Sequence, residues 1–145
     1  MELKVGIASD HGGFELKEAI KAHFGNITWV DLGTHSTDSV DYPDIAQSLC
    51  QSLLAGNFER GIAICGTGIG ISIACNRFRG IRAALCYDAH TAEMARRHNN
   101  ANILALGGRT TPVEKAFLLI DIFLKTPFDG GRHEKRIQKL DIISP

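Results

Sequence analysis

Short apolar runs alternate with longer segments of helical periodicity along almost the whole chain. Runs of this length, bounded by glycine or polar residues, are typical of buried strands. Five of them are predicted as strands, at residues 3–9, 27–32, 61–65, 81–87 and 101–106. Between them, apolar residues three or four positions apart predict helices, as at Leu16, Ile20 and Phe24. Strands that alternate with helices indicate an α/β fold: a three-layer, Rossmann-like sandwich with a five-stranded, mostly parallel sheet and helices on both faces.

Local signals predict two helix starts. Asp44 is expected to cap the helix that follows the second strand. Thr111 and Pro112 offer a capping threonine and a proline at the first helical position, and Glu114 stands three residues after the cap. Residues 33–43 form a long polar loop, and loops of that length in compact domains are often functional.

A lone thiol, Cys65, ends the third predicted strand, and glycine follows at positions 66, 68 and 70. Without three β-carbons, the chain can turn sharply and aim backbone N–H groups at an anion. The helix predicted next has an N-terminus that favours negative charge, and such an end favours the thiolate form of a nearby cysteine. A tight turn without a ligand and a buried core cysteine are the alternatives.

Ligands of parallel α/β sheets bind outside the carboxyl ends of the strands. Three segments fall at such ends: Asp10 with His11, residues 65–70 and residues 107–109. Instead of binding a ligand, Asp10 could serve only as a helix cap, and His11 could be only a turn residue. The glycines at 66–70 also approach a dinucleotide-binding fingerprint, with Asp88 near the place of a ribose-binding acid, but the third glycine comes one position early.

Basic residues near the end of the chain are a candidate phosphate site. Arg132 and Arg136 are four apart and share one helix face, and arginine binds phosphate in a bidentate manner. Arg109, just past a predicted strand, could join them. A solvated basic face is the alternative, and His98 at a helix end is likewise either solvated or catalytic.

Composition narrows the class of protein. The 145 residues are expected to form a single domain, 1–145, and sixteen basic residues balance sixteen acidic ones. The neutral balance gives no reason to expect nucleic acid or an anionic membrane as a partner. The four cysteines form no Cys-x-x-Cys pair, so neither a zinc knuckle nor a dithiol redox motif is expected. A reducing cytoplasm is the simplest setting for such thiols.

Six stretches of the chain together form a specific combination. They are Ser9-Asp10-His11-Gly12-Gly13, Asp41-Tyr42-Pro43, the run 64–74, residues 80–84, His98-Asn99 and Gly130-Gly131-Arg132-His133. In these stretches the chain resembles ribose-5-phosphate isomerase type B, and the resemblance extends over nearly the whole length. The wider family also contains galactose-6-phosphate and allose-6-phosphate isomerases.

The resemblance implies interconversion of D-ribose 5-phosphate and D-ribulose 5-phosphate in the pentose phosphate pathway, through a cis-enediolate and without a metal or cofactor. It implies Cys65 as the base that moves a proton between two carbons and His98 as the group that opens the furanose ring. The enediolate would be held by loop residues Gly66, Thr67, Gly68, Ile69 and Gly70. Sugar hydroxyls and phosphate would be bound by Asp10, His11, Asn99, Arg109, Arg132 and Arg136. Tyr42 would line the pocket, and a homodimer or dimer of dimers would share its pockets between subunits.

Two positions depart from the commonest pattern of that family. Cys75 stands where alanine is usual, on a predicted helix, and Asn100 stands where aspartate often follows His-Asn. The missing carboxylate at position 100 could alter the orientation of His98 or Asn99. Two other functions stay open: isomerisation of a six-carbon aldose phosphate (allose 6-phosphate or galactose 6-phosphate), and non-catalytic binding of a sugar phosphate.

Overall fold

The computed structural model describes residues 3–143. Five strands and six α-helices alternate along this part of the chain, and a short 3-10 turn at His11–Gly13 precedes the first helix. The strands are β1 (Leu3–Ser9), β2 (Ile27–Asp31), β3 (Gly61–Cys65), β4 (Ala83–Leu85) and β5 (Ile103–Gly107). The helices are α1 (Phe14–His23), α2 (Tyr42–Leu54), α3 (Ile69–Cys75), α4 (Ala89–Arg97), α5 (Val113–Lys125) and α6 (Arg132–Ile142). None of these described helices is long and apolar enough to cross a membrane.

The strands form one sheet in the order β2-β1-β3-β5-β4, and every neighbouring pair runs parallel. At the centre, Gly61 pairs with Ile103 at the amino ends of β3 and β5, and Cys65 pairs with Gly107 at their carboxyl ends. The predicted Rossmann-like sandwich is therefore confirmed.

Alternate residues of the strands supply two separate cores, because successive side chains of a strand point to opposite faces. Val5 and Ile7 pack with residues of α1, α4 and α5 on one face of the sheet. Ala8 and Ala63 pack with residues of α2 and α3 on the other face. Strands buried on both sides need continuous apolar runs, and this requirement explains why the sequence pattern identified them.

The predicted core residues of α5 are confirmed, since Ala116, Leu119, Ile120 and Phe123 are fully buried. The cysteines outside the glycine loop are core residues too. Cys50 and Cys75 lie against each other between α2 and α3. Burial raises the pKa of the Cys86 thiol to about 11, which keeps this group protonated.

Several element ends differ from the predictions. Strand β2 ends one residue earlier than predicted, at Asp31, and β5 is Ile103–Gly107 rather than 101–106. Asp44 lies in the first turn of α2 rather than at its cap, because the cap is three residues earlier, at Asp41, and the helix takes Pro43 into its first turn. Thr111 does not cap α5: Pro112 occupies the cap position, and no side chain caps this end.

The fourth strand is shorter than the predicted 81–87. The side chain of Asn102 accepts the hydrogen bond of the Arg82 N–H, and that of Asn76 accepts the hydrogen bond of the Ala83 N–H. Side-chain amides thus accept hydrogen bonds from backbone N–H groups that a longer strand would donate to a neighbouring strand.

Candidate active site

Three loops meet at the carboxyl edge of the sheet, as the sequence predicted. The Gly108 N–H donates to the carbonyl of Cys65 (2.8 Å), and the Arg109 N–H donates to that of Gly66 (2.9 Å). On the other side, the Asp10 N–H donates to the carbonyl of Ile64 (3.1 Å). The loops after β1 and β5 are therefore both fixed to the loop that carries the thiol.

Cys65 is the last residue of β3, and only 5% of it is exposed. The chain turns at Gly68, whose φ of +80° favours glycine, and α3 begins at Ile69. The N–H groups of Gly66, Thr67 and Gly68 donate no hydrogen bond to any residue within 3–143. The thiol thus lies beside a short run of unpaired backbone donors, which is the arrangement that an oxyanion requires.

Polar side chains from neighbouring elements border this loop. A β-carbon placed on Gly66 would lie 3.3 Å from Nη1 of Arg109, and one placed on Gly70 would lie 2.7 Å from Cζ of Tyr42. Asp10 caps the 3-10 turn by accepting the Gly12 N–H (2.9 Å), so its structural alternative as a helix cap is confirmed. A second, substrate-binding role for its carboxylate stays a prediction.

His98, Asp129 and His133 form a second cluster. The rings of His98 and His133 stack with centroids 4.3 Å apart and planes 15° apart. The Asp129 N–H donates to the carbonyl of Arg97 (3.0 Å), and both carboxylate oxygens of Asp129 accept from Nε of Arg97 (3.2 Å each). This cluster joins the end of α4 to the start of α6.

The charges of the second cluster favour an anion. The hydrogen bond from Arg97 holds the pKa of Asp129 below its ordinary value. Burial, together with the nearby charges of His98 and Arg132, lowers the pKa of His133. One carboxylate thus faces several arginine and histidine side chains.

A metal ion is a poorer match to the same residues. The ligand atoms of His98, Asp129 and His133 lie within 4.8 Å of one another, a donor set that a transition metal could use. However, Asp129 is already bound by Arg97, and parallel stacked rings do not direct their lone pairs at a common point.

The two clusters lie at opposite edges of the sheet within one chain. Helix α4 starts after the carboxyl end of β4 and ends just before the amino end of β5, so His98 lies five residues before Ile103. Cys65 ends β3 four residues beyond Gly61, the partner of Ile103, and four residues of strand span about 13 Å. A single chain therefore does not bring His98 to Cys65.

Arg132 begins α6 beside His133, at the edge where His98 lies, and it is exposed like Arg136. Asn99 lines a groove of about 510 Å³ between the segment 76–84 and the end of α6. A second groove, of about 380 Å³, runs between Tyr42 and α3 and borders Gly70 of the thiol loop.

Comparison with known proteins identifies the family. The model of the ribose/galactose isomerase family matches residues 5–140. The chain is 40% identical over 142 residues to ribose-5-phosphate isomerase B of Escherichia coli, covering 97% of this chain and 95% of that protein. This chain belongs to the ribose/galactose isomerase family.

Solved structures of ribose 5-phosphate isomerases share the fold closely. The protein of Thermotoga maritima has a TM-score of 0.96 at 54% identity, and the match covers 99% of this chain and 100% of the other. The type B enzyme of Trypanosoma brucei has a TM-score of 0.91 at 43% identity, with coverage of 97% and 98%. The resemblance predicted from the sequence motifs is thus confirmed.

For a member of this family, the loop cluster contains most of the site residues that the sequence predicted. It brings together Asp10, His11, Cys65, Gly66, Thr67, Gly68, Ile69, Gly70 and Arg109. It does not include His98, Asn99, Arg132 or Arg136, which lie toward the opposite edge of the sheet, where the strands begin.

Sequence reasoning missed His133 and Asp129 as partners of His98. The sequence carried one signal: His133 stands four residues before the apolar Ile137, so the two share a helix face. In the structure both are buried on the inner face of α6. Nothing local in the sequence indicates that this face meets the end of α4.

Asn100 orients a different group from the one expected. Its side-chain oxygen accepts from Nη1 of the buried Arg96 (2.9 Å), whereas His98 is contacted by the ring of His133. Its φ of +45° is one that asparagine tolerates better than most residues. Burial and the charges of Arg60 and Arg82 lower the pKa of Arg96 to about 10.

Proposed function

We propose that this protein interconverts D-ribose 5-phosphate and D-ribulose 5-phosphate, with Cys65 as the base. The observation that carries the proposal is the position of the Cys65 thiol at a strand end, next to the guanidinium of Arg109 and to three amide groups that donate to no residue in the described part of the chain. An aldose-ketose isomerase needs a base within reach of two adjacent carbons, donors for a developing oxyanion and an anchor for the phosphate. The relatives in Escherichia coli and Thermotoga maritima carry the name of this activity.

The reaction starts with opening of the furanose ring: the bond between C1 and the ring oxygen breaks, His98 transfers a proton to the ring oxygen, and the C1 hydroxyl loses its proton to water and becomes the aldehyde. The Cys65 thiolate then removes the proton from C2 of the open aldose, and the electron pair moves to the carbonyl oxygen at C1. The N–H groups of Gly66, Thr67 and Gly68 stabilise the resulting cis-enediolate. The same thiol then returns the proton to C1. The proton of the C2 hydroxyl moves to the oxygen at C1, and C2 becomes the carbonyl carbon of ribulose 5-phosphate.

The separate parts contribute effects of known size. Proton transfer by one positioned group accelerates a reaction by about 10²–10⁴-fold, and one oxyanion donor contributes about 10²–10³-fold. Phosphate held by arginine fixes the reacting carbons against the thiolate, so that binding energy far from the reacting bond assists the reaction. Asp10, His11 and Arg109 contact the sugar phosphate from the loop side, and Arg132, Arg136 and Asn99 contact it from the His98 side.

A complete site is formed by two copies of the chain. The position of His98 at the opposite sheet edge supports this proposal, because its ring must approach the thiol of a different copy. A second support is the exposed apolar surface beside the glycine loop, where Ile69 and Ile73 are 53% and 62% exposed and Tyr42 is 40% exposed. A homodimer, alone or as half of a tetramer, would cover this surface and join the two clusters.

The proposal includes a substrate and a compartment. A five-carbon sugar phosphate is favoured over allose 6-phosphate or galactose 6-phosphate by the names of the relatives. A reducing cytoplasm suits four free, buried cysteines. Ranking five- and six-carbon aldose phosphates by kcat/KM tests the choice of substrate.

Mixing two inactive variants tests the proposal as a whole. Cys65→Ala and His98→Asn each lose turnover of cyclic ribose 5-phosphate, while Cys65→Ala still binds the sugar phosphate. In a symmetric dimer with shared sites, a mixed dimer has one doubly altered site and one intact site. Random reassociation therefore restores about a quarter of the wild-type activity. If mixing restores nothing, the shared site is refuted, and turnover by Cys65→Ala alone would refute the role of the thiol.

A further inference from the structure

Helix α1 carries a lysine on its inner face, and this lysine is fully buried. The ammonium nitrogen of Lys17 lies 2.8 and 2.6 Å from the two carboxylate oxygens of Asp31, the last residue of β2. Lys21, one turn later and partly exposed, contacts the same carboxylate at 2.8 Å. Although burial alone would raise the pKa of Asp31, the hydrogen bonds from both lysines hold it below its usual value.

Stability gives no sufficient reason for such a pair. A buried ion pair is costly to desolvate, and apolar residues of similar volume often replace one without loss of stability. The other contacts of Asp31 indicate what else the pair does.

The carboxylate of Asp31 fixes the start of the segment 33–41. Its Oδ1 also accepts the Gly33 N–H (2.9 Å), at the point where the chain leaves β2. The carbonyl of Gly33 accepts the Ser9 N–H, and the Thr34 N–H donates to the carbonyl of Ser9, both at 2.7 Å. The segment is thereby fixed to the residue that immediately precedes Asp10.

The other end of this segment contacts His11. The Val40 N–H donates to Nδ1 of His11 at 3.2 Å. A ring nitrogen that accepts a hydrogen bond carries no proton, so the neutral ring holds its proton on Nε2 and offers Nε2–H as a donor.

The geometry points to Lys17 as a positioning residue: through Asp31 and the segment 33–41, it keeps His11 in the tautomer that presents Nε2–H to the phosphorylated sugar. The inference rests on the proposed function only in taking His11 as a group that contacts that sugar. Lys17 itself touches no reacting atom. It acts by holding Asp31 where the carboxylate can bind the Gly33 N–H.

The double variant Lys17→Met/Asp31→Leu separates positioning from stability. It removes both charges, so no buried charge is left alone, and its thermal midpoint should stay close to that of the wild type. It also removes the acceptor of the Gly33 N–H, so KM for ribose 5-phosphate should rise about 3- to 10-fold, with a smaller change in kcat. Lys21→Met is the matched control, because it removes only the outer lysine from Asp31, and its KM should equal that of the wild type.

The ¹⁵N chemical shifts of the His11 ring provide a readout that needs no turnover. The wild-type protein should show a proton on Nε2 and none on Nδ1, and the double variant should show a mixture of tautomers. A stable double variant with unchanged KM and unchanged His11 shifts would overturn the inference, as would a wild-type ring protonated on Nδ1. The second result applies even if the double variant does not fold. If His11 responds as expected but the wild-type protein does not isomerise ribose 5-phosphate, the proposed function fails and the structural link stands.

Discussion

Replacing Gly108 with alanine tests whether the loops after β1 and β5 must lie in direct contact for activity. A β-carbon at this position would lie well inside the van der Waals contact distance of the Gly12 carbonyl oxygen and 2.8 Å from Cα of Gly13. Both are backbone atoms, so no side-chain rotation relieves the overlap. Since non-bonded carbons are at rest about 3.5–4.0 Å apart, the two loops must separate by about 1 Å.

The size of the effect follows from that displacement. Overpacking of this kind costs about 1–3 kcal/mol, which lowers the thermal midpoint of a chain of this size by about 2–4 °C for each kcal/mol. A shift of about 1 Å in groups that position substrate can reduce the rate by about 10²-fold. We therefore expect Gly108→Ala to stay folded but to lose about two orders of magnitude in kcat/KM for ribose 5-phosphate.

The assay is isomerisation of ribose 5-phosphate, followed as formation of ribulose 5-phosphate, with a thermal melt of each variant. Gly25→Ala is the matched control, since a β-carbon there would meet nothing within 4 Å. If Gly108→Ala keeps the kcat/KM of Gly25→Ala, the argument that these loops form one binding surface is refuted.

Four further substitutions test other parts of the structure. Arg132→Ala and Arg136→Ala should mainly raise KM; an unchanged KM in steady-state assays would favour a merely solvated basic face. Asn100→Asp should raise the free energy of unfolding by about 1 kcal/mol in urea titrations, because a carboxylate binds the buried guanidinium of Arg96 more strongly than an amide does; a loss of stability would contradict this. The lowered pKa of His133 means that, below about pH 6.5, the unfolded chain binds a proton that the native protein does not. The free energy of unfolding should therefore fall as the pH decreases through this range, and it should fall less steeply in His133→Asn. If the free energy of unfolding depends equally on pH in both proteins, the lowered pKa of His133 is refuted.

The loop cluster around Cys65 was predictable, because its position depends on the local sequence pattern and on one topological rule. Strand-forming runs place Cys65 and Gly107 at strand ends, and the carboxyl ends of parallel strands share one edge of a sheet. Any correct assignment of these strands therefore brings the thiol, its glycine loop and Arg109 together. The errors at Asp44 and Thr111 moved the starts of these helices by three residues and one residue, and left this edge unchanged.

The partners of His98 and of Asp31 were not predictable in this way. His133 meets His98 because α6 packs beside the end of α4, and Lys17 meets Asp31 because α1 packs beside the end of β2. Each contact joins residues whose separation along the chain obeys no helical or strand period, so only the packing of whole elements determines it. The sequence alone thus determined the fold class and the thiol loop, through short-range periodicity. The tertiary structure decided that His98 and the arginines of α6 lie on the far edge of the sheet, since the direction and docking of helices fix that distance.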